Sequence, residues 1–188
     1  AAERGWIDRP EAIERLARMI GALERATRHH GMYPHFLHGR TGATIPFSDL
    51  DDGGDLVETA LLFQGLLIVR AWLDDGTAEE ADLRRRITAL WEAVEWDWHL
   101  AGDVLLWHWS PRHGFAIRHE IRGWNECLIA YVLAAASPTH PIPAQAYHRG
   151  FASGPAFRNG RRYLVIELPL GMPYGGPLFF AHYSFCGL

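Results

Sequence analysis

Lysine is absent from this chain of 188 residues, and all 18 basic residues are arginine. We read that as composition bias rather than function, although arginine suits planar polar ligands better than lysine does. The net charge of −4 is mild and argues against a nucleic-acid partner. Only two cysteines occur, Cys127 and Cys186, too few for a disulfide framework or a compartment assignment. Cys127 lies in an apolar run, where a free cysteine behaves as a small buried hydrophobe. No stretch approaches the ~18 uninterrupted apolar residues of a membrane span, and no signal peptide is visible at the N-terminus. His-Glu-x-x-His and Cys-x-x-Cys spacings are missing, so no metal or other cofactor is expected. A phosphate loop, a dinucleotide fingerprint and a Gly-x-Ser-x-Gly elbow are missing too, which lowers nucleotide-dependent and esterase readings.

The apolar content that is present suffices for one domain with a real core. Pro10 suits a first helical position after Asp8-Arg9, and Ile13, Leu16, Ile20 and Leu23 mark one helical stripe. The stretch from His29 to Asp52 reads as a loop or short strands anchored by Phe36 and Phe47. Asp55 to Leu73 is apolar on most sides and predicts a helix buried by neighbours. Thr77-Ala78-Glu79-Glu80 is a capping box opening a helix with Leu83, Ile87, Leu90, Trp91 and Val94 on one face. Val104 to Trp109 and Phe115 to His119, with Pro111 and Gly114 between them, predict a β-hairpin. Asn125 to Ala136 predicts a fourth helix ending before Pro138. Pro143 to Phe151 predicts a fifth, short one, and Arg162 to Leu168 alternates like a strand. The last twenty residues are rich in Gly, Pro and aromatics and suit a loop lining a cavity. The chain opens on a helix approach and stops at Phe185-Cys186-Gly187-Leu188 without a polar tail, so part of a longer protein is expected. The fold class is mainly α, with long loops of the kind that usually carry function.

Four constellations bear on chemistry. Asp49, Asp51, Asp52, Asp55 and Glu58 cluster at the start of the second long helix, with Asp55 and Glu58 sharing a face. Helix capping and solvation account for them equally well. A calcium loop does not fit, because Gly53 and Ala60 would fall where oxygen ligands are needed. Glu126 sits in the first turn of the predicted fourth helix beside Trp124. Burial against the indole would raise its pKa and suit a general acid, while pairing with Arg118 or Arg122 is the plainer reading. Trp91, Trp96, Trp98, Trp107, Trp109 and Trp124 are close in sequence and offer flat surfaces for sugar stacking. Trp91 reads instead as core. Trp107 and Trp109 share one face of a predicted strand, leaving His108 on the other. The histidines are scattered and suit hydrogen bonding to hydroxyls better than metal ligation. Carboxylates paired with tryptophans point to carbohydrate chemistry.

Asp55-Leu56-Val57-Glu58-Thr59-Ala60, Val94-Glu95-Trp96-Asp97-Trp98, Trp107-His108-Trp109-Ser110-Pro111, Arg122-Gly123-Trp124-Asn125-Glu126, Ser137-Pro138-Thr139-His140-Pro141-Ile142 and Gly175-Gly176-Pro177-Leu178-Phe179-Phe180-Ala181-His182-Tyr183-Ser184 occur in that order. Together they resemble the glycoamylase-like bacterial proteins, which include the endo-β-1,2-glucanases of glycoside hydrolase family 144. The resemblance covers essentially the whole chain. It implies an (α/α)6 toroid, of which residues 1–188 would supply roughly the first half, leaving apolar helix faces for a missing half or another copy to cover. It further implies inverting hydrolysis of β-1,2-glucan, an oligosaccharide or polysaccharide substrate, and action outside the cytoplasm. The older family label implies α-glucan hydrolysis. A carbohydrate-binding or scaffold protein without catalysis, or an inactive fragment, is the rival from another class. On this resemblance Glu126 is the expected general acid, Asp51 or Asp55 its partner unless the base comes from the missing half, and Glu58 an orienting group. Trp107, His108, Trp109, Trp124 and His182 are the expected glucose contacts.

Overall fold

The computed structural model describes residues 1–74 and 76–186. It is mainly helical, with four two-stranded ladders. Helix α1 spans Arg9–Arg25; Asp8 caps it by accepting from the Glu11 N–H at 2.8 Å, and Pro10 stands in its first turn. Ile13 and Ile20 are buried on its inner face, with Leu16 and Leu23 packed beside them. Two-residue strands follow, β1 at Phe36–Leu37 and β2 at Thr44–Ile45, paired antiparallel. Phe36 and Phe47, the expected anchors of this loop, hold it at the surface and not in the core. Both rings are exposed, and they pack on His35 instead.

Strand β3, Gly54–Asp55, leads directly into α2, Leu56–Trp72. Leu56, Val57, Ala60, Phe63 and Leu66 are buried along α2, as the all-round apolar pattern predicts. Helix α3 spans Ala78–Glu92 and buries Leu83, Ile87, Leu90 and Trp91. The Thr77 hydroxyl accepts from the Glu80 N–H at 3.2 Å, so half of the capping box forms. The Glu80 carboxylate is diverted to Arg9, which donates to both of its oxygens at 2.8 Å and so ties α3 to α1.

The hairpin expected at residues 104–119 is replaced by two different pairings. Strand β4, Leu100–Ala101, pairs with β5, Val104–Leu105, while β6, His108–Trp109, crosses to β3. The returning chain pairs with it through isolated antiparallel bridges, Leu106 with Glu120 and Ser110 with Gly114, rather than through a continuous ladder. Helix α4 spans Leu128–Ala136 and stops before Ser137-Pro138. The fifth helix is a single wide turn at Tyr147–Phe151. Arg162 to Leu168 straddles a turn between β7, Arg158–Tyr163, and β8, Ile166–Leu170. The chain then runs through short 3-10 turns to residue 186. In the core, α2 packs between α3 and α4, and α1 packs on α3.

Candidate active site

The site forms where β3 and β6 meet. Their register sets Asp55 opposite His108 and Gly54 opposite Trp109. The Leu56 N–H donates to Trp107 O at 3.0 Å, and the Asp55 N–H donates to Tyr33 O at 2.8 Å. Tyr33 is itself fixed, because its N–H donates to the Thr59 hydroxyl at 2.8 Å and its own hydroxyl donates to Leu23 O at 3.1 Å. That anchor carries His35, two residues on, to Asp55.

Asp55 is the N-cap of α2 rather than a helical residue, so the expected shared face with Glu58 becomes a cap-to-first-turn relation. Its Oδ1 accepts from the N–H groups of Val57 and Glu58, both at 3.0 Å. Its Oδ2 lies 2.9 Å from His35 Nδ1 and 3.8 Å from His108 Nδ1. The side chain is fully buried, and burial pushes its pKa up to about 6 against the opposing backbone bond and His35. Asp51 closes the turn Ser48-Asp49-Leu50-Asp51 through backbone bonds and presents Oδ2 3.0 Å from His108 Nδ1, without the alignment of a hydrogen bond. Burial raises Asp51 as well. His108 is pushed down to about 4 by burial, helped by His119 and His35. Asp52 does something else: it accepts from the Ser110 hydroxyl at 2.5 Å and from Arg112 Nε at 2.6 Å. Burial would raise Asp52, yet these donors hold it below the ordinary carboxylate range.

Glu126 lies in the turn before α4 rather than in its first turn, because Asn125 Oδ1 accepts from the Cys127 N–H and closes a local turn there. Arg122 pairs with Glu120, so the plainer reading of Glu126 as an arginine partner is not realised there. Among the described residues its carboxyl has no side-chain hydrogen-bond or ion-pair partner. Burial raises its pKa, and Glu58 adds to the rise while His119 opposes it. Glu58 acts on Asp55 in the same sense. Two carboxyl groups of distant sequence, Asp55 and Glu126, thus share Glu58 as a charged neighbour.

Trp107 and Trp109 part company. Trp107 stacks with His108 and His119, at 5.6 and 5.1 Å between ring centres. Trp109 turns to His29, His30 and Trp98. Trp107 lies at a bend ahead of β6 and not in the strand, so the alternation that predicted a common face does not reach it. Trp124 packs against Phe157 and Phe185, half-buried. His182 is exposed, and two residues later the Ser184 hydroxyl donates to Glu126 O at 2.7 Å and accepts from the Ile129 N–H, tying this segment to the start of α4. His35 escaped the sequence reading. Nothing in its spacing flags it, since the link to Asp55 depends on the tertiary position of Tyr33.

His35, Asp51 and Asp55 each bring one ligand-type atom to within 4.8 Å of the others. His35 and Asp55 already satisfy one another at 2.9 Å, so hydrogen bonding accounts for the group.

The sequence profile of a family described as "Putative glucoamylase" matches residues 118–188. The exo β-1,2-glucooligosaccharide sophorohydrolase (non-reducing end) of Parabacteroides distasonis is 40% identical over 99% of the chain and 29% of its own length. The endo-β-1,2-glucanase of Chitinophaga pinensis, solved with sophorotriose and glucose, is 47% identical with a TM-score of 0.95, over all of this chain and 46% of that one. A β-1,2-glucanase of P. distasonis is 39% identical, again with a TM-score of 0.95, over all of this chain and 30% of that one. The chain therefore spans less than half the length of these relatives. Ordered motifs, helical architecture and similarity along the whole of its length agree: the chain resembles the glycoamylase-like β-1,2-glucanases.

Proposed function

We propose that this chain carries one wall of the cleft of a glycoside hydrolase acting on β-linked glucan, with β-1,2-glucan as its substrate. The observation that carries the reading is the pair of carboxyls at two helix entrances, Asp55 and Glu126, both raised by burial and both within electrostatic reach of Glu58. The relatives' printed activities on β-1,2-glucans and glucooligosaccharides support the linkage.

In an inverting reaction one carboxyl protonates the leaving oxygen and a carboxylate activates water from the opposite face, the two standing ~6.5–9.5 Å apart. Glu126 suits the acid. Burial raises its pKa, the direction a general acid needs, and its carboxyl has no competing side-chain partner among the described residues. Asp51 suits the partner better than Asp55, because both oxygens of Asp55 are engaged by the α2 N-terminus and His35. Asp55 then positions His108 and Asp51, and Glu58 tunes the charge between the two walls. Trp107, Trp109, Trp124 and His108 offer half-buried surfaces for glucosyl rings, and His182 an exposed one. The proposal includes an (α/α)6 ring to which α1–α4 contribute, a reading supported by the helical architecture and the solved relatives.

The test is to incubate the intact protein with β-1,2-glucan and follow sophorose-type products. Glu126→Gln should lower kcat by ~10²–10⁴-fold, the usual weight of a general acid. Release of no product, or an unchanged rate in the variant, overturns the reading. Binding without turnover would favour a carbohydrate-binding protein.

A further inference from the structure

We propose that His35 is a positioning residue of the candidate site, one that fixes the orientation of Asp55 and through it the places of His108 and Asp51. Its catalytic consequence rests on the hydrolase reading above; its structural part does not. Three donors surround Asp55. Val57 and Glu58 hold Oδ1 from the start of α2, which leaves Oδ2 as the oxygen available to a side chain. His35 Nδ1 meets that oxygen at 2.9 Å, and His108 Nδ1 stands 3.8 Å from it on the other side. Without His35 the carboxyl group could turn about its own axis, and His108 would lose the wall that sets its distance from Asp51.

The chemistry of the contact makes it durable. An ionised Asp55 is an acceptor only, so the proton of the contact then sits on His35 Nδ1. When Asp55 is protonated, its O–H can donate to Nδ1 of a neutral ring. One proton bridges the two groups in either state, so the link survives the titration of Asp55.

The surroundings hold the imidazole for this purpose. Phe36 stands edge-on to it at 4.6 Å and Phe47 is tilted against it at 4.5 Å. Both phenyl rings are exposed, which is costly for a residue with no ligand or partner to cover it. Their placement is explained if they screen His35 from water, and the His35 side chain keeps only 23% of its exposure. From below, Tyr33 is bonded through its N–H to Thr59, and its carbonyl accepts from the Asp55 N–H. The backbone on both sides of the contact is thereby fixed. The other charged or titratable groups facing Asp55 are Asp51 on the preceding loop, Glu58 on α2, His108 on β6 and Cys127 before α4. None of them has an aligned donor on Oδ2, so His35 has no substitute.

The experiment compares wild type, His35→Asn and His35→Leu in the intact protein. Asparagine keeps a donor near the position of Nδ1, and leucine removes it. Two readouts are taken: kcat and KM on β-1,2-glucan across pH, and the Asp55 carboxyl titration by 13C NMR. In His35→Leu the titration should move upward, since a donor to the charged form has been lost. Its kcat should fall by about tenfold to a hundredfold, the scale of a misplaced catalytic group, with KM near wild type and the acidic limb of the rate profile moving with Asp55. His35→Asn should recover most of both. Should the leucine variant not fold, 15N NMR of the wild type above pH 7 decides the structural part: the proton must be found on Nδ1. An unmoved Asp55 titration in His35→Leu, an asparagine variant as impaired as the leucine one, or a wild-type ring with its only proton on Nε2 would each overturn the proposal. A wild type without hydrolytic activity would overturn the hydrolase reading alone, and the NMR would still decide the His35–Asp55 link.

Discussion

Asp55 concentrates the physics of this site. Three donors favour its charged form, yet burial outweighs them and lifts its pKa from 3.8 to about 6. That rise corresponds to something on the order of 3 kcal/mol between the two protonation states. The folded protein binds this proton more tightly than the unfolded chain does. Asp55 therefore contributes stability that is present at low pH and is lost as pH rises from about 4 to about 6. His99 has the opposite sign. It is buried, its Nδ1 lies 2.8 Å from Leu106 O, and burial pushes its pKa down to about 4, so its contribution is present above about pH 6.5 and lost as pH falls. Asp55→Asn separates the two. The variant retains an oxygen to cap α2 and removes only the Asp55 titration. Its unfolding free energy relative to wild type should climb between pH 4 and 6 and level off above. Denaturant melts at closely spaced pH values measure this, and a difference that stays flat with pH would show that Asp55 titrates normally.

At the scale of elements, the site depends on one close crossing. A Cβ on Gly53 would come within 2.2 Å of the Trp109 carbonyl oxygen and 2.7 Å of Pro111. Both atoms belong to the rigid loop pinned by Ser110 and Asp52, so they cannot give way cheaply. Gly53→Ala should push β6 from β3, parting His108 from Asp55. A loss of about 1–3 kcal/mol in stability is expected, together with a lower kcat, while Gly39→Ala, in open space, should be silent. Equal behaviour of the two variants in melts and rates would contradict the crossing. The same comparison explains what was legible in sequence. Helices α1 and α3 were, because fifteen or more residues repeat one apolar period behind caps at Asp8 and Thr77, and α2 was, because its long run is apolar on most sides. Asp51, Asp55, Glu58 and Glu126 stood out as carboxyls at helix entrances. Two-residue strands such as β3 and β6 have no period to read, and their pairing joins residues more than fifty positions apart. For the same reason His35 was invisible and Trp109 was assigned to the wrong neighbours.

For the whole molecule, the open surfaces argue for a larger assembly of helices. Each helix of a closed ring buries two flanks against its neighbours. Here α2 has α3 and α4, whereas α4 has α2 on one flank and an apolar groove on the other, lined by Leu128, Val132, Ala135 and Tyr147. At the β7–β8 turn Leu164, Val165 and Ile166 are 99%, 83% and 66% exposed, and Leu164 has a φ of +56° that costs a non-glycine residue. Apolar side chains this open are normal singly but not as a contiguous patch. The 188-residue chain on its own should therefore bind the dye ANS and associate in sedimentation velocity, and the intact protein should do neither. Val132→Glu in the isolated chain should reduce its dye binding and keep it dispersed. Placed in the intact protein, the same substitution should destabilise it, because a charge would then be buried without a partner. If the isolated chain is instead monomeric, dark to the dye and cooperative in unfolding, the flank of α4 needs no cover, and the proposed ring loses its main support in the chain itself.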